Sequence, residues 1–226
     1  MENHILPPFG ELAERHLIDA LDWIAREMFD GQGARPLLRL VVADLPSATH
    51  RGGRGPGDSG RCDVAVQWGA NEDQVRHQVF HEAFHVLIGR NIYHWTQEVA
   101  AELAAQRLHE ASHASGYAAV HRGEAHSITG DDLRAFLWAG NPPGHGPDRE
   151  FYYHRARAVG LHLEPVVGLL EVGRLARRVA AVAGGCNVLG HVPHAGCVMS
   201  AAVDDWLYGL GQQQAANVRQ VLGLAG

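Results

Sequence analysis

Lysine is absent: all nineteen basic residues are arginine. Chemistry that needs a lysine amine, from Schiff-base formation to a phosphate-loop lysine, is thereby excluded. Cysteine is scarce. Cys62, Cys186 and Cys197 form no C-x-x-C pair, which excludes a cysteine-rich zinc knuckle and a thioredoxin-like redox centre. Cys186 and Cys197 would bridge only in an oxidising compartment. No apolar run approaches the ~20 residues that span a bilayer, so no membrane partner is expected. Met1-Glu2-Asn3-His4 carries neither the basic nor the apolar region of a signal peptide, and a cytoplasmic location is expected. With a formal net charge of −6 there is no basic stripe to hold phosphates, so no nucleic acid is expected as a partner.

The chain itself has 226 residues, 46% of them hydrophobic and 19% charged. At ~150 residues per domain this is about one to two domains, long enough to bury a sizeable core without staples. It also holds sixteen histidines, which makes metal binding worth testing.

Leu17, Leu21, Ile24 and Met28 recur at helical spacing and predict a first helix over 9–30, stopped by Gly31-Gln32-Gly33. Leu37 to Leu45 reads as a buried strand. Ser47 to Arg61 reads as a loop, too rich in glycine to pack. Its glycines and arginines lack the spacing of a phosphate cradle. Val64 and Val66 alternate with polar neighbours, predicting a half-buried strand over Cys62–Trp68. Asn71 is a fair N-cap, with Glu72 and Asp73 in a first turn that favours negative charge. That helix is expected to reach Ile88, with Gly89 just past its end. A second helix is expected from about Trp95 to His113. Further helices are expected at 131–139, 149–160, 165–183 and 211–223, with 184–202 irregular. The class expected from this pattern is α+β, with a small sheet and a mostly helical C-terminal half. The expected division is a subdomain over 1–115 and a helical one over 116–226, which closes the other wall of a cleft.

His81-Glu82-Ala83-Phe84-His85 is an HExxH motif inside a predicted helix. Residues four apart differ by about 40° around a helix axis, so both imidazoles face one side and can share one Zn²⁺. Glu82, about 100° round from His81, can reach a water at the metal. Two histidines and a glutamate among Val79, Phe80, Ala83, Phe84, Val86, Leu87 and Ile88 need partners if that helix is buried. The strand Cys62–Trp68 precedes it, where zinc peptidases place the edge strand that pairs with an extended substrate.

A catalytic zinc site needs a third protein ligand. Glu98, about one turn into the second helix, supplies one if the two helices pack antiparallel. Glu102, one turn on, can then accept the free ring N–H of His81 or His85 and fix its tautomer. His94 is the competing ligand.

HExxH followed by Glu98 and Glu102 resembles the gluzincin peptidases, the thermolysin-like zincins. Trp95-Thr96-Gln97-Glu98-Val99-Ala100-Ala101 is similar to the Trp-x-x-Glu-x-x-Ala stretch of small members, the minigluzincins. The resemblance covers about residues 62–108, and the twelve residues between His85 and Glu98 are fewer than in thermolysin-like enzymes. A second stretch, His194 to Ser200, looks like the Met-turn of metzincins. Ile88 and Asn91 stand where a metzincin has Gly and His, so Met199 reads as a turn or core residue.

The resemblance implies a zincin-like metallopeptidase domain with one Zn²⁺ per chain. It implies hydrolysis of a peptide or protein substrate, with Glu82 as general base. An oxyanion donor is needed as well, and Tyr152, Tyr153, His154, His191 and His194 are the candidates. Two other readings stay open: an inactive interaction module that keeps the fold, and a zinc hydrolase of a non-peptide amide or ester. Oligomeric state is not legible.

Overall fold

The computed structural model describes residues 9–32, 37–43, 49–52, 61–67, 72–89, 94–112, 147–185 and 192–224. The chain divides into two compact units, Met1–Asn91 with Ala101–Arg122, and Ile92–Ala100 with Gly123–Gly226.

The first unit begins with helix α1 (Phe9–Met28). Its expected apolar stripe is buried: Leu17, Leu21, Ile24 and Met28 all lie in the core. Strands β1 (Leu37–Ala43), β2 (Thr49–Gly52) and β3 (Arg61–Gln67) follow. They form a sheet in the order β1-β3-β2. β1 runs parallel to β3 along its whole length, and β2 runs antiparallel to β3 opposite Cys62–Ala65. Two expectations change here. The Gly-rich loop contains β2, whose Thr-His-Arg-Gly sequence has no strand-like alternation and is held by its backbone pairing. The strand expected at the edge, β3, is central, because β2 covers the side that an extended substrate would need.

Helix α2 (Glu72–Ile88) follows the sheet. It contacts α1, β2 and β3; His16 of α1 meets Phe80 edge-on at 5.8 Å, and Phe29, just past α1, packs on Phe84 at 5.3 Å. On α3 (Trp95–Ala111), His109 meets Phe80 edge-on at 5.2 Å. Surrounded in this way, α2 has no solvent face in its second half: Val79 to Leu87 are buried without interruption. A helix apolar or buried all round belongs to the interior of a domain. Gly89 ends it at φ 75°, its N–H donating to His85 O at 3.1 Å, a left-handed cap that glycine adopts without strain.

The second unit holds α4 (Pro147–Val167), α5 (Leu169–Gly185), α6 (Val192–Gly209) and α7 (Gln212–Val221). Pro165 does not start a helix, as the sequence suggested, but lies inside α4. The break comes three residues later at Gly168, φ 84°, whose N–H closes on Glu164 O at 2.8 Å. Trp206 Nε1 donates to Glu171 Oε2 at 3.3 Å, joining α6 to α5. Gln214 Nε2 donates to Val166 O at 2.9 Å, joining α7 to α4. The stretch expected to be irregular is largely helical: α5 reaches Gly185 and α6 starts at Val192. The backbone from His194 to Ser200 is therefore helix rather than a Met-turn. The helix expected at 131–139 lies outside the described residues, as does Asn71.

The expected α+β class, and the zincin-like domain with it, is corrected. Helices of 20, 17, 17, 21, 17, 18 and 10 residues stand against strands of 7, 4 and 7. The protein is overwhelmingly helical among the described residues, and the three short strands do not define its class. Alanine, leucine, arginine and glutamine, which favour helix intrinsically, make up more than half of Trp95–Ala111 and of Leu169–Gly185. No described helix is long and apolar enough to cross a membrane. Ile24, fully buried in α1, tests this packing: Ile24→Val is expected to cost about 0.5–1.5 kcal/mol, read as a lower urea midpoint with an unchanged m-value.

Candidate metal centre

Between Trp95 and Gln106, α3 is buried at every position. Long side chains bridge α3 to α2, among them Glu102 to His81 and His109 to Phe80. The two helices carry an unusual load of buried polar side chains: His81, Glu82 and His85 on α2, and Thr96, Gln97, Glu98, Glu102, Gln106 and His109 on α3. Burying each such group without partners costs roughly 2–7 kcal/mol, so the set has to be organised.

Much of that organisation is visible. His81 Nδ1 lies 2.9 Å from Glu102 Oε1. A carboxylate only accepts, so Nδ1 carries the hydrogen and Nε2 presents its lone pair. His85 Nε2 stands 3.1 Å from His81 Nε2. Two nitrogens on one tetrahedral zinc at ~2.0–2.1 Å are separated by roughly 3.3 Å, so the pair is already at ligand spacing. His81, His85 and Glu98 offer ligand atoms that all lie within 4.8 Å of one another, and all three residues are buried. Two imidazoles and a carboxylate form a donor set that suits a divalent metal ion. The residues fit a metal.

Glu82, one position on from His81, is 5% exposed. A carboxyl group so placed, beside the ligand pair and largely out of water, is chemically able to exchange a proton with a water at that site.

His94 does another job. Its Nδ1 accepts the Thr96 backbone N–H at 3.3 Å and lies 2.8 Å from Thr96 Oγ1, while its carbonyl accepts the Gln97 N–H at 2.9 Å. It caps α3 and is absent from the ligand cluster. Burial pushes its pKa down to about 4. The unfolded chain, titrating at its ordinary value near 6.5, binds the proton first on acidification. The stabilisation is therefore present above about pH 6.5 and is lost as pH falls towards 4. His94→Asn keeps a capping acceptor without that titration. It is expected to lose about 2 kcal/mol less than wild type between pH 7.5 and 5, measured by urea unfolding at both pH values.

Of the five oxyanion candidates, Tyr152, Tyr153 and His154 sit in the first turns of α4. Tyr152 is buried, and its ring meets Tyr153 edge-on at 5.7 Å. Burial, then the negative charge of Glu98, then Tyr153 push the Tyr152 hydroxyl upward, so it stays protonated. Its acidity responds to Glu98, a residue of the metal cluster. His194 falls on the backbone of α6; His191 lies outside the described residues.

Sequence reasoning passed over His77 and His109. Each looks like a surface histidine when taken alone. The available signal was the ladder His77, His81, His85 on α2 facing Glu98, Glu102, Gln106 on α3, both at a spacing of four. Comparison with protein-family models, characterised proteins and solved structures finds no match.

Proposed function

We propose that this chain is a zinc-dependent metallopeptidase with a gluzincin-type centre. The observation that carries the reading is the convergence of ligand atoms from the buried residues His81, His85 and Glu98, with Glu82 next in sequence to a ligand. When bound, zinc supplies Lewis-acid polarisation of a carbonyl and of water. Glu82 takes the proton from the attacking water and returns it to the departing amine. Glu102 holds the ring of His81 by its Nδ1–H and keeps its Nε2 directed inward. Tyr152, held protonated, donates its hydroxyl hydrogen to the oxygen that becomes negative in the transition state.

A peptide is favoured over a smaller amide by the sheet. Among the described residues β2 is an outer strand of the sheet and touches α2, which is where an extended chain would add by strand pairing beside the metal helix.

The test is the metal content of the purified protein, by mass spectrometry, beside Glu98→Ala and His94→Ala. One zinc per chain is expected in wild type and in His94→Ala, with strong loss in Glu98→Ala. Hydrolysis of a mixed peptide library by the zinc-loaded protein then follows. A wild type that holds no metal after dialysis against zinc would sink the reading. Zinc without cleavage of any peptide would leave the inactive interaction module.

A further inference from the structure

One carboxylate oxygen serves two histidines. Glu102 Oε1 lies 2.9 Å from His81 Nδ1 and 3.3 Å from His77 Nε2. Glu102 is 2% exposed, whereas His77 keeps about a seventh of its side chain in solvent. The ring of His77 stacks on His109 at 5.5 Å and 15°. His109 is buried and meets Phe80 edge-on at 5.2 Å. The imidazole of His77 is thus fixed in plane and position before any metal arrives.

We propose that His77 is a positioning residue of the metal centre, acting on His81 through Glu102. This rests on the reading of His81, His85 and Glu98 as ligands. The physical argument has two parts. A buried carboxylate is costly unless its charge is met by donors. The His77 Nε2–H gives the same Glu102 oxygen a second donor and fixes its position. A Glu102 oxygen held in place in turn fixes the Nδ1–H tautomer and the ring orientation of His81, which is how outer partners orient a metal-bound histidine. His77 and His81 lie one helical turn apart on α2, so both reach the one oxygen without strain.

His77 also connects this chain of contacts to the protein surface. His109 and Phe80 set the plane of its ring, and that plane aims Nε2 at Glu102. The stack is a holding device, and the N–H is the element that acts.

The experiment is a zinc titration against a competing chelator, with Kd measured on proteins whose far-UV circular dichroism matches wild type. His77→Phe keeps a ring for His109 and removes the donor; it is expected to weaken zinc about tenfold, the lower end for an outer partner. His77→Asn, whose amide is too short to reach Glu102, is expected to fall with it and serves if the phenylalanine variant does not fold. His77→Gln, whose amide nitrogen reaches the place of Nε2, is expected to recover wild-type affinity. The deciding arm is Glu102→Gln, in whose background His77→Phe is expected to change Kd less than about twofold, as coupled sites require. Equal weakening in both backgrounds would make His77 merely structural and overturn the proposal, as would unchanged affinity in His77→Phe. Absence of zinc from wild type would overturn the metal centre itself, a failure that the wild-type arm alone reports.

Discussion

Glu82→Gln is expected to retain one zinc per chain and to lose about 10²–10⁴-fold in kcat on any peptide the wild type cleaves, the usual contribution of a positioned proton-transfer group. The substitution is nearly isosteric, so the environment between Phe80 and Phe84 is preserved and α2 keeps its packing. A neutral amide is also easier to bury than a carboxylate at 5% exposure, so thermal stability is expected to hold or rise. The variant separates two roles that a deletion would confuse. His81, His85 and Glu98 form the ligand cluster without Glu82, so metal content reports the cluster and turnover reports the base. Initial rates by mass spectrometry, beside metal analysis of the same preparation, make the comparison. Full turnover in Glu82→Gln would remove the base assignment, and loss of zinc would mean that Glu82 belongs to the ligand set.

How much of this centre was legible without coordinates depends on which contacts are local. Spacing on one helix is local, and it placed His81, His85 and Glu82 on α2 and Glu98 and Glu102 on α3. The caps were local too: Gly89 follows the last turn of α2 as its sequence signal suggests. Strand order is not local. β3 reads as a good edge strand from its own seven residues, yet β1 and β2 both pair with it. β2 has no signal of its own because its backbone pairing forms it. The class was misjudged for the related reason that two recognisable strand patterns were given the weight of an architecture. At the other end, Val192 to Ser200 reads as irregular because Pro193 and Gly196 are helix-averse. Pro193, however, falls in the first turn, where no N–H is required of it. His77 was hidden for a different reason: its partner, Glu102, is twenty-five residues away, and a histidine taken singly carries no sign of what it faces. Tyr152 stood among five equal candidates until the charge of Glu98 was found to bear on it.

Tyr152→Phe is expected to lower kcat about 10²–10³-fold, the range for removing one oxyanion donor, with zinc content unchanged and KM nearly so. The ring stays, so its edge-on contact with Tyr153 and its place in the core of α4 stay. Only the hydroxyl is removed. Its protonation makes the pattern specific. An exposed tyrosine ionises near pH 10, and an enzyme using such a group as a donor loses rate on that alkaline limb. Burial and the charge of Glu98 raise Tyr152 well above that value. The wild-type rate is therefore expected to show no tyrosine limb up to about pH 10, and the ratio of wild-type to Tyr152→Phe rates is expected to stay constant across the accessible range. A ratio that collapses as pH rises would mean that the hydroxyl ionises and that Glu98 does not act on it. An unchanged kcat would return the donor to His154 on α4 or to another group. A fall in both zinc and kcat would show that Tyr152 holds Glu98 in place rather than meeting the substrate.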